Sequence, residues 1–183
     1  GPNREINLFC PYFPHARMDR THSDNEVFTL KYFAEIINSL RFERVEVLDA
    51  HSNVCLGLVN NVFQIPIGPI IGSVINAVKS ELDVKSPIFY FPDDGALKRY
   101  KSLNEVNGYR KLYGKKIRNW ETHRIEGLDI YTEEGDRVSR LDHESIIMID
   151  DIISYGGSMY YSTLELQKMG FENIYCYATH VEN

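Results

Sequence analysis

An α/β fold with a mostly parallel sheet flanked by helices is predicted for this 183-residue chain. Three observations carry that prediction. Short apolar runs of strand length alternate with segments of helical periodicity, the pattern of successive β-α-β units. Three of those runs end in acids, at Asp49, at Asp93 and at the Asp150-Asp151 pair, and open α/β sheets bind ligands beyond the carboxyl ends of their strands. The chain is 43% hydrophobic and 25% charged, a globular balance with apolar material enough for a core.

The elements follow in order. Ile6–Phe9 reads as a short strand, stopped by Pro11 and Pro14. A polar stretch runs from His15 to Asn25. Val27–Leu40 has helical periodicity, with Leu30, Phe33, Ile36, Ile37 and Leu40 on one face. Val45–Leu48 is a strand running into Asp49-Ala50-His51. Asn53–Val62 reads as a helix weakened by Gly57, "QIPIGPIIG" as a connection, and Ile70–Leu82 as a helix. The strand Ile88–Phe91 enters Pro92-Asp93-Asp94-Gly95, and Ala96–Asn104 is helical. Asn107 to Arg140 is polar and yields no assignment. Ile146–Ile149 is a strand, Met159–Met169 a helix with Gly170 as its C-terminal cap, and Ile174–Ala178 the last strand.

Several function classes are excluded. The net charge of −6 opposes a sequence-independent nucleic-acid binder, which needs a basic face. No apolar run reaches membrane-spanning length, and no secretory signal is read at the start. The three cysteines are odd in number, widely spaced and lack a CxxC pair, which predicts free thiols in a reducing compartment, the cytoplasm, and neither disulfides nor zinc.

The stretch with most chemistry is "IIMIDDIISYGGSMYYSTL", Ile146 to Leu164. It has neither the lysine of a GxxxxGK[ST] loop nor a GxGxxG fingerprint. Ser154-Tyr155-Gly156-Gly157-Ser158 nevertheless has phosphate-loop character. Glycines let backbone N–H groups approach an anion, two serine hydroxyls add donors, and a helix N-terminus follows. Asp150 and Asp151 lie upstream, and an extended chain advances about 3.3 Å per residue, so the carboxylates sit away from the phosphate. A vicinal diol supplies two O–H donors for such acceptors. A pentose 5-phosphate satisfies both halves. The plain alternative is a strand ending in solvated aspartates before an ordinary turn.

"IIMIDDIISYGGS" resembles the signature of the type I phosphoribosyltransferase fold: an apolar strand, two acids, two apolar residues and a glycine loop. "CPYFPHARMDR", Cys10 to Arg20, is similar to the Pro-Tyr-Phe-Pro-Tyr-Ala-Arg-Gln-Asp-Arg segment of the ribose-phosphate pyrophosphokinases (phosphoribosyl pyrophosphate synthetases). It places Arg17 and Arg20 around Asp19 in a proline-stiffened loop, and guanidinium groups there suit a polyphosphate. Taken alone, Arg-x-Asp-Arg is more often a surface ion pair. "VLDAHS" resembles the family's Asp-Leu-His, which implies that His51 helps hold Mg²⁺. "FPDDGALKR" resembles a segment with a second metal-linked acid, here Asp93, a choice that Mg²⁺ chemistry favours. In "YGKKIRNW", Lys116 and Arg118 match the spacing of a Lys-x-Arg pair on a mobile catalytic loop; an exposed basic loop is the commoner meaning of such a run.

The resemblance implies two related phosphoribosyltransferase-like α/β units. Residues 1–68 would be a partial first unit with the ATP-side motifs, and residues 69–183 a second unit with the ribose-phosphate site. Against the family pattern the chain is expected to be shortened at both ends, and it lacks a counterpart of the family's adenine-binding Phe-x-Asn-x-Glu loop. Met18 stands where glutamine is usual and Tyr155 where Thr or Asp is usual, and "THSDNEVFTLKYF" departs from the basic segment after the arginines. The implied activity is transfer of pyrophosphate from Mg-ATP to the 1-hydroxyl of ribose 5-phosphate, or of a related acceptor such as ADP-ribose, with release of AMP. Asp150, Asp151 and Ser154, Tyr155, Gly156, Gly157 and Ser158 would hold the sugar phosphate. Arg17, Asp19 and Arg20 would hold ATP, His51 and Asp93 the Mg²⁺, and Lys116 and Arg118 would act in catalysis. A homo-oligomer with small-molecule substrates, and no nucleic-acid or membrane partner, is expected. A non-catalytic ribose-phosphate or nucleotide-binding module and a phosphoribosyltransferase remain as alternatives.

Overall fold

Each of two compact units, Gly1–Ile67 and Gly68–Asn183, is built on its own sheet. The computed structural model describes residues 5–21, 23–81, 83–118, 125–139 and 145–182. The expected α/β architecture with mostly parallel sheets is what the chain adopts.

The first unit runs β1 (Asn7–Cys10), α1 (Thr29–Ser39), β2 (Arg44–Leu48), α2 (Asn53–Leu58) and β3 (Val62–Ile65). Its three strands are parallel in the order β1-β2-β3, with Leu8 opposite Val45 and Val45 opposite Val62. Leu30, Ala34 and Ile37 of α1 pack with Val45, Val47 and Cys55. Ile36 and Leu40, expected on the buried face of α1, are exposed instead. At 100° per residue Ile36 lies about 120° round the helix from Leu30, outside the stripe that Ala34 extends. The helix expected over Asn53–Val62 stops at Leu58, and the following residues, partly read as connection, form β3. The side chain of Asn38 sets that stop, donating to the Leu58 carbonyl (2.9 Å) and accepting from the Asn60 N–H (2.8 Å).

The second unit runs α3 (Gly68–Glu81), β4 (Ile88–Phe91), α4 (Asp94–Tyr100), a 3-10 turn (Asn104–Val106), β5 (Lys111–Arg118), β6 (Ile125–Thr132), β7 (Arg137–Val138), β8 (Ile146–Ile153), α5 (Gly157–Lys168) and β9 (Ile174–Val181). The strand order is β7-β6-β5-β4-β8-β9; β5, β4, β8 and β9 are parallel, and β6 and β7 antiparallel. The unassigned polar middle of the chain therefore contains β5, β6 and β7. One face of β5 and β6 is buried through Leu112, Leu128 and Ile130. The central strands are covered on both sides, which is why they read as unbroken apolar runs. Ile88, Tyr90, Ile146 and Met148 pack with Met159 and Leu166 of α5. On the opposite face Phe91 stacks on Tyr100 of α4, with ring centroids 6.3 Å apart. Gly170 ends α5 with φ 99°, and Phe171 N–H to Leu166 O (3.1 Å) with Gly170 N–H to Gln167 O (3.0 Å) make a Schellman cap.

Among the described residues no helix is long and apolar enough to cross a membrane. Cys10, Cys55 and Cys176 are free thiols.

Candidate functional site

In the second unit one strand–loop–helix segment holds all of the expected sugar-phosphate residues. β8 continues through Asp150 and Asp151 to Ile153, so the acids lie within the strand and not just beyond its end. Successive strand side chains point to opposite faces. Asp150 thus shares the α5 face with Ile146 and Met148, while Asp151 shares the α4 face with Ile147 and Ile149. Ser154, Tyr155 and Gly156 form the loop, and Gly156 takes the left-handed conformation (φ 73°) immediately before α5. Gly157 and Ser158 occupy the first turn, where backbone N–H groups have no partner within the helix. Tyr155 is wholly exposed. From β5, Lys116 reaches this turn and donates from Nζ to Ser158 Oγ at 2.9 Å. Arg118 ends β5, and its side chain lies outside the described residues.

The acids differ in environment as well as direction. Burial raises the pKa of Asp150 to about 8, and the charge of Asp151, a hydrogen bond with its side chain and the charge of Asp93 add to the effect. The Asp151 backbone N–H opposes it, donating to Asp150 Oδ1 at 2.9 Å. The carboxylate of Asp151 is 3% exposed and ion-paired with Arg99 of α4. Arg99 was not among the expected site residues. It stands three residues after the buried Ala96 on α4, at the flank of the buried face, and that position was its only signal in the sequence. Asp93 caps the same helix, accepting at Oδ1 from the Ala96 N–H (3.0 Å).

The first unit gathers a second group. The "CPYFPHARMDR" loop is pinned by Phe13 and Ala16, both 1% exposed, and the Phe13 ring meets Phe33 of α1 edge-on at 5.2 Å. Arg17 and Arg20 are exposed while Asp19 is buried. Arg20 holds Asp19 through both carboxylate oxygens, Nε to Oδ1 at 2.8 Å and Nη2 to Oδ2 at 3.0 Å. That bond, a hydrogen bond with Ser52 and the charges of Arg20 and His51 lower Asp19 to about 2, against the opposing effect of burial. Asp19, Arg20, His51 and Ser52 are therefore neighbours. His51 and Asp93, the expected Mg²⁺ pair, belong to different units. Among the described residues no group of three or more His, Cys, Asp or Glu is arranged to hold a metal ion. The carboxylate of Asp93 has the hard-oxygen chemistry that Mg²⁺ takes; the imidazole of His51 does not.

No protein-family model matches the chain. Over 178 residues it is 26% identical to the ribose-phosphate pyrophosphokinase of Haemophilus influenzae, covering 96% of this chain and 53% of that protein. Over 181 residues it is 28% identical to the ribose-phosphate pyrophosphokinase of Buchnera aphidicola, with the same coverage of 96% and 53%. The chain thus spans about half the length of these curated relatives. The fold is similar to the phosphoribosylpyrophosphate synthetase from Mycobacterium smegmatis, with a TM-score of 0.77 at 18% identity over 97% of this chain and 54% of that one. The resemblance read from the motifs is borne out over nearly the whole sequence.

Proposed function

We propose that this relative of the ribose-phosphate pyrophosphokinases transfers pyrophosphate from Mg-ATP to the 1-hydroxyl of a ribose 5-phosphate, either the free sugar phosphate or one carried by a larger acceptor such as ADP-ribose. The 1-oxygen attacks the β-phosphorus, the bond from that phosphorus to the α,β-bridging oxygen breaks, AMP leaves and the hydroxyl proton is lost. One observation supports the reading above others: the Lys116 ammonium bonds Ser158 at the turn that follows the Asp150 strand. Phosphate-binding loop and hydroxyl-binding acid thus belong to one structural segment, and the cation reaches it from β5, two strands away in the same sheet.

In this reading the N–H groups and hydroxyls of residues 154–158 bind the 5-phosphate, and the Asp150-Asp151 pair forms the sugar-hydroxyl end of the site. Arg17 and Arg20 bind the ATP polyphosphate, with Asp19 fixing the Arg20 fork. Lys116 and Arg118 supply positive charge to the transferring group; positioning and electrostatics dominate such transfers, and no covalent intermediate is required. Mg²⁺, when bound, would be held by the Asp93 carboxylate with the phosphates and would neutralise their charge. The expected setting is the cytoplasm, with the chain assembled as a homo-oligomer.

AMP release from ATP, measured with ribose 5-phosphate, with ADP-ribose and with no acceptor, tests the proposal. Acceptor-dependent AMP is expected, reduced at least 100-fold in Asp150→Asn and about as much in Lys116→Ala. ATP-dependent AMP formation also excludes a phosphoribosyltransferase. The alternative reading is a non-catalytic ribose-phosphate or nucleotide-binding module. Ribose 5-phosphate binding with no AMP from any acceptor would decide for that module.

A further inference from the structure

Asp150 and Asp151 are adjacent acids, but their surroundings divide their work. Asp150 points to the α5 face of the sheet, the face of the helix that the glycine loop begins. Asp151 points the other way, into the α4 side, where its carboxylate is buried against Arg99. The two side chains share a hydrogen bond, and a short relay of further contacts joins them. The Arg99 guanidinium pairs with the Asp151 carboxylate, and the Asp151 backbone N–H donates to Asp150 Oδ1 at 2.9 Å.

We infer that Arg99 is a positioning residue for the sugar end of this site, anchoring Asp151 from the α4 side so that the Asp151 N–H orients the Asp150 carboxylate toward the sugar hydroxyls. The inference rests on the ribose-phosphate reading above and deepens it, because it divides the acid pair into one ligand and one anchor.

The physical case has three parts. A carboxylate as buried as Asp151 is costly unless paired, and the Arg99 guanidinium supplies the opposite charge. The guanidinium is itself confined: its side chain is 19% exposed, and its carbon lies 5.7 Å from the Tyr100 ring centroid. Tyr100 in turn is fully buried and stacked on Phe91 of β4. The anchor is thus tied to rigid elements, which is what accurate placement of a binding group requires. Finally, the first turn of α5 and Lys116 are not part of the relay, so it acts on hydroxyl recognition and not on phosphate binding.

That separation yields the test. Calorimetric affinities for ribose 5-phosphate and 2-deoxyribose 5-phosphate are compared in wild type, Arg99→Met, Arg99→Lys, Asp151→Asn and the double variant Arg99→Met with Asp151→Asn. Wild type is expected to prefer the ribose form about tenfold or more, the order of one well-made hydrogen bond to a charged group. Arg99→Met loses most of that preference while binding the deoxy form within about twofold of wild type. Arg99→Lys restores part of it, and the double variant is no worse than the poorer single variant, as expected of residues acting as one unit. Should Arg99→Met fail to fold, Asp151→Asn carries the same test. A preference left intact in Arg99→Met overturns the inference. So does equal weakening of both ligands, which is the mark of a general structural role. Wild-type protein that binds neither sugar phosphate sinks the ribose-phosphate reading itself and this inference with it. That failure is told apart because it shows before any variant is made.

Discussion

Asp150 and Asp19 are both buried aspartates, and their surroundings push them in opposite directions. Asp150 is raised to about 8 by burial and by neighbouring acids, Asp151 foremost. In an unfolded chain an aspartate loses its proton near pH ~4. Between these values the folded chain holds a proton that the unfolded chain has released, so rising pH favours unfolding. The contribution of this group is therefore complete below pH ~4 and declines until about 8. Asp150→Asn removes the slope. The variant should gain stability relative to wild type as pH rises from about 5 to 8, read from urea midpoints. A constant difference across that range would mean that Asp150 is ionised in the fold throughout. Asp19 behaves in the reverse sense. Held at about 2, chiefly by its hydrogen bonds from Arg20, it contributes stability above pH ~4 that is lost as pH falls through about 2. Arg20→Ala lets the Asp19 pKa rise toward its unfolded value, so the variant should lose stability above pH ~4 and its acid limb should be shallower as pH falls from about 4 to about 2. An unchanged acid limb would show that the pair does not couple to folding.

Among the elements, β5 shows how a strand can be required by its neighbours while its sequence is nearly silent. Gly114 sits where a Cβ would overlap the Tyr90 hydroxyl and come within 2.9 Å of the Pro92 carbonyl oxygen. Tyr90 has little room to yield, since it is fully buried and its hydroxyl bonds Ser162 of α5 at 3.0 Å. Gly114→Ala should therefore destabilise by about 1–3 kcal/mol, the usual cost of overpacking. A melting temperature equal to wild type would refute that account. The same strand explains what was legible. Ile88–Phe91 could be read to the residue because both faces are buried and no polar position interrupts it. β5 alternates lysines and tyrosines with its few core residues, and its buried face exists only through pairing with β6, so its apolar pattern is weak. β8 was read short because acids usually mark a strand end. Here pairing with β9 carries the strand past them, with Asp150 opposite Ala178 and Ile153 opposite Val181. The glycine loop and the start of α5 were legible from local chemistry. Arg99 was not, because its significance lies in a partner on another element.

For the molecule as a whole, an excess of acids over bases meets substrates that are themselves polyanions. Twenty-six Asp and Glu against twenty Lys and Arg leave a net charge of −6, so the average field repels ATP and ribose phosphates. At physiological ionic strength that field is screened within about 8 Å, and binding is decided by charges closer than that. The expected local cations are few, and a divalent ion brought with the nucleotide adds the positive charge that the chain lacks. AMP formation should therefore follow the concentration of Mg-ATP and not of total ATP, and chelation should abolish it. Asp93 allows this to be tested without disturbing the fold. Its carboxylate caps α4 through the Ala96 N–H, and asparagine caps helices about as well as aspartate does. Asp93→Asn thus removes a charge and keeps the cap. It should raise the Mg²⁺ needed for half-maximal rate several-fold, with a melting temperature close to that of wild type. The measurement is a Mg²⁺ titration of AMP release at fixed ATP. An unchanged Mg²⁺ requirement would remove Asp93 from the metal site, and AMP formation that persists in chelator would remove the metal from the reaction.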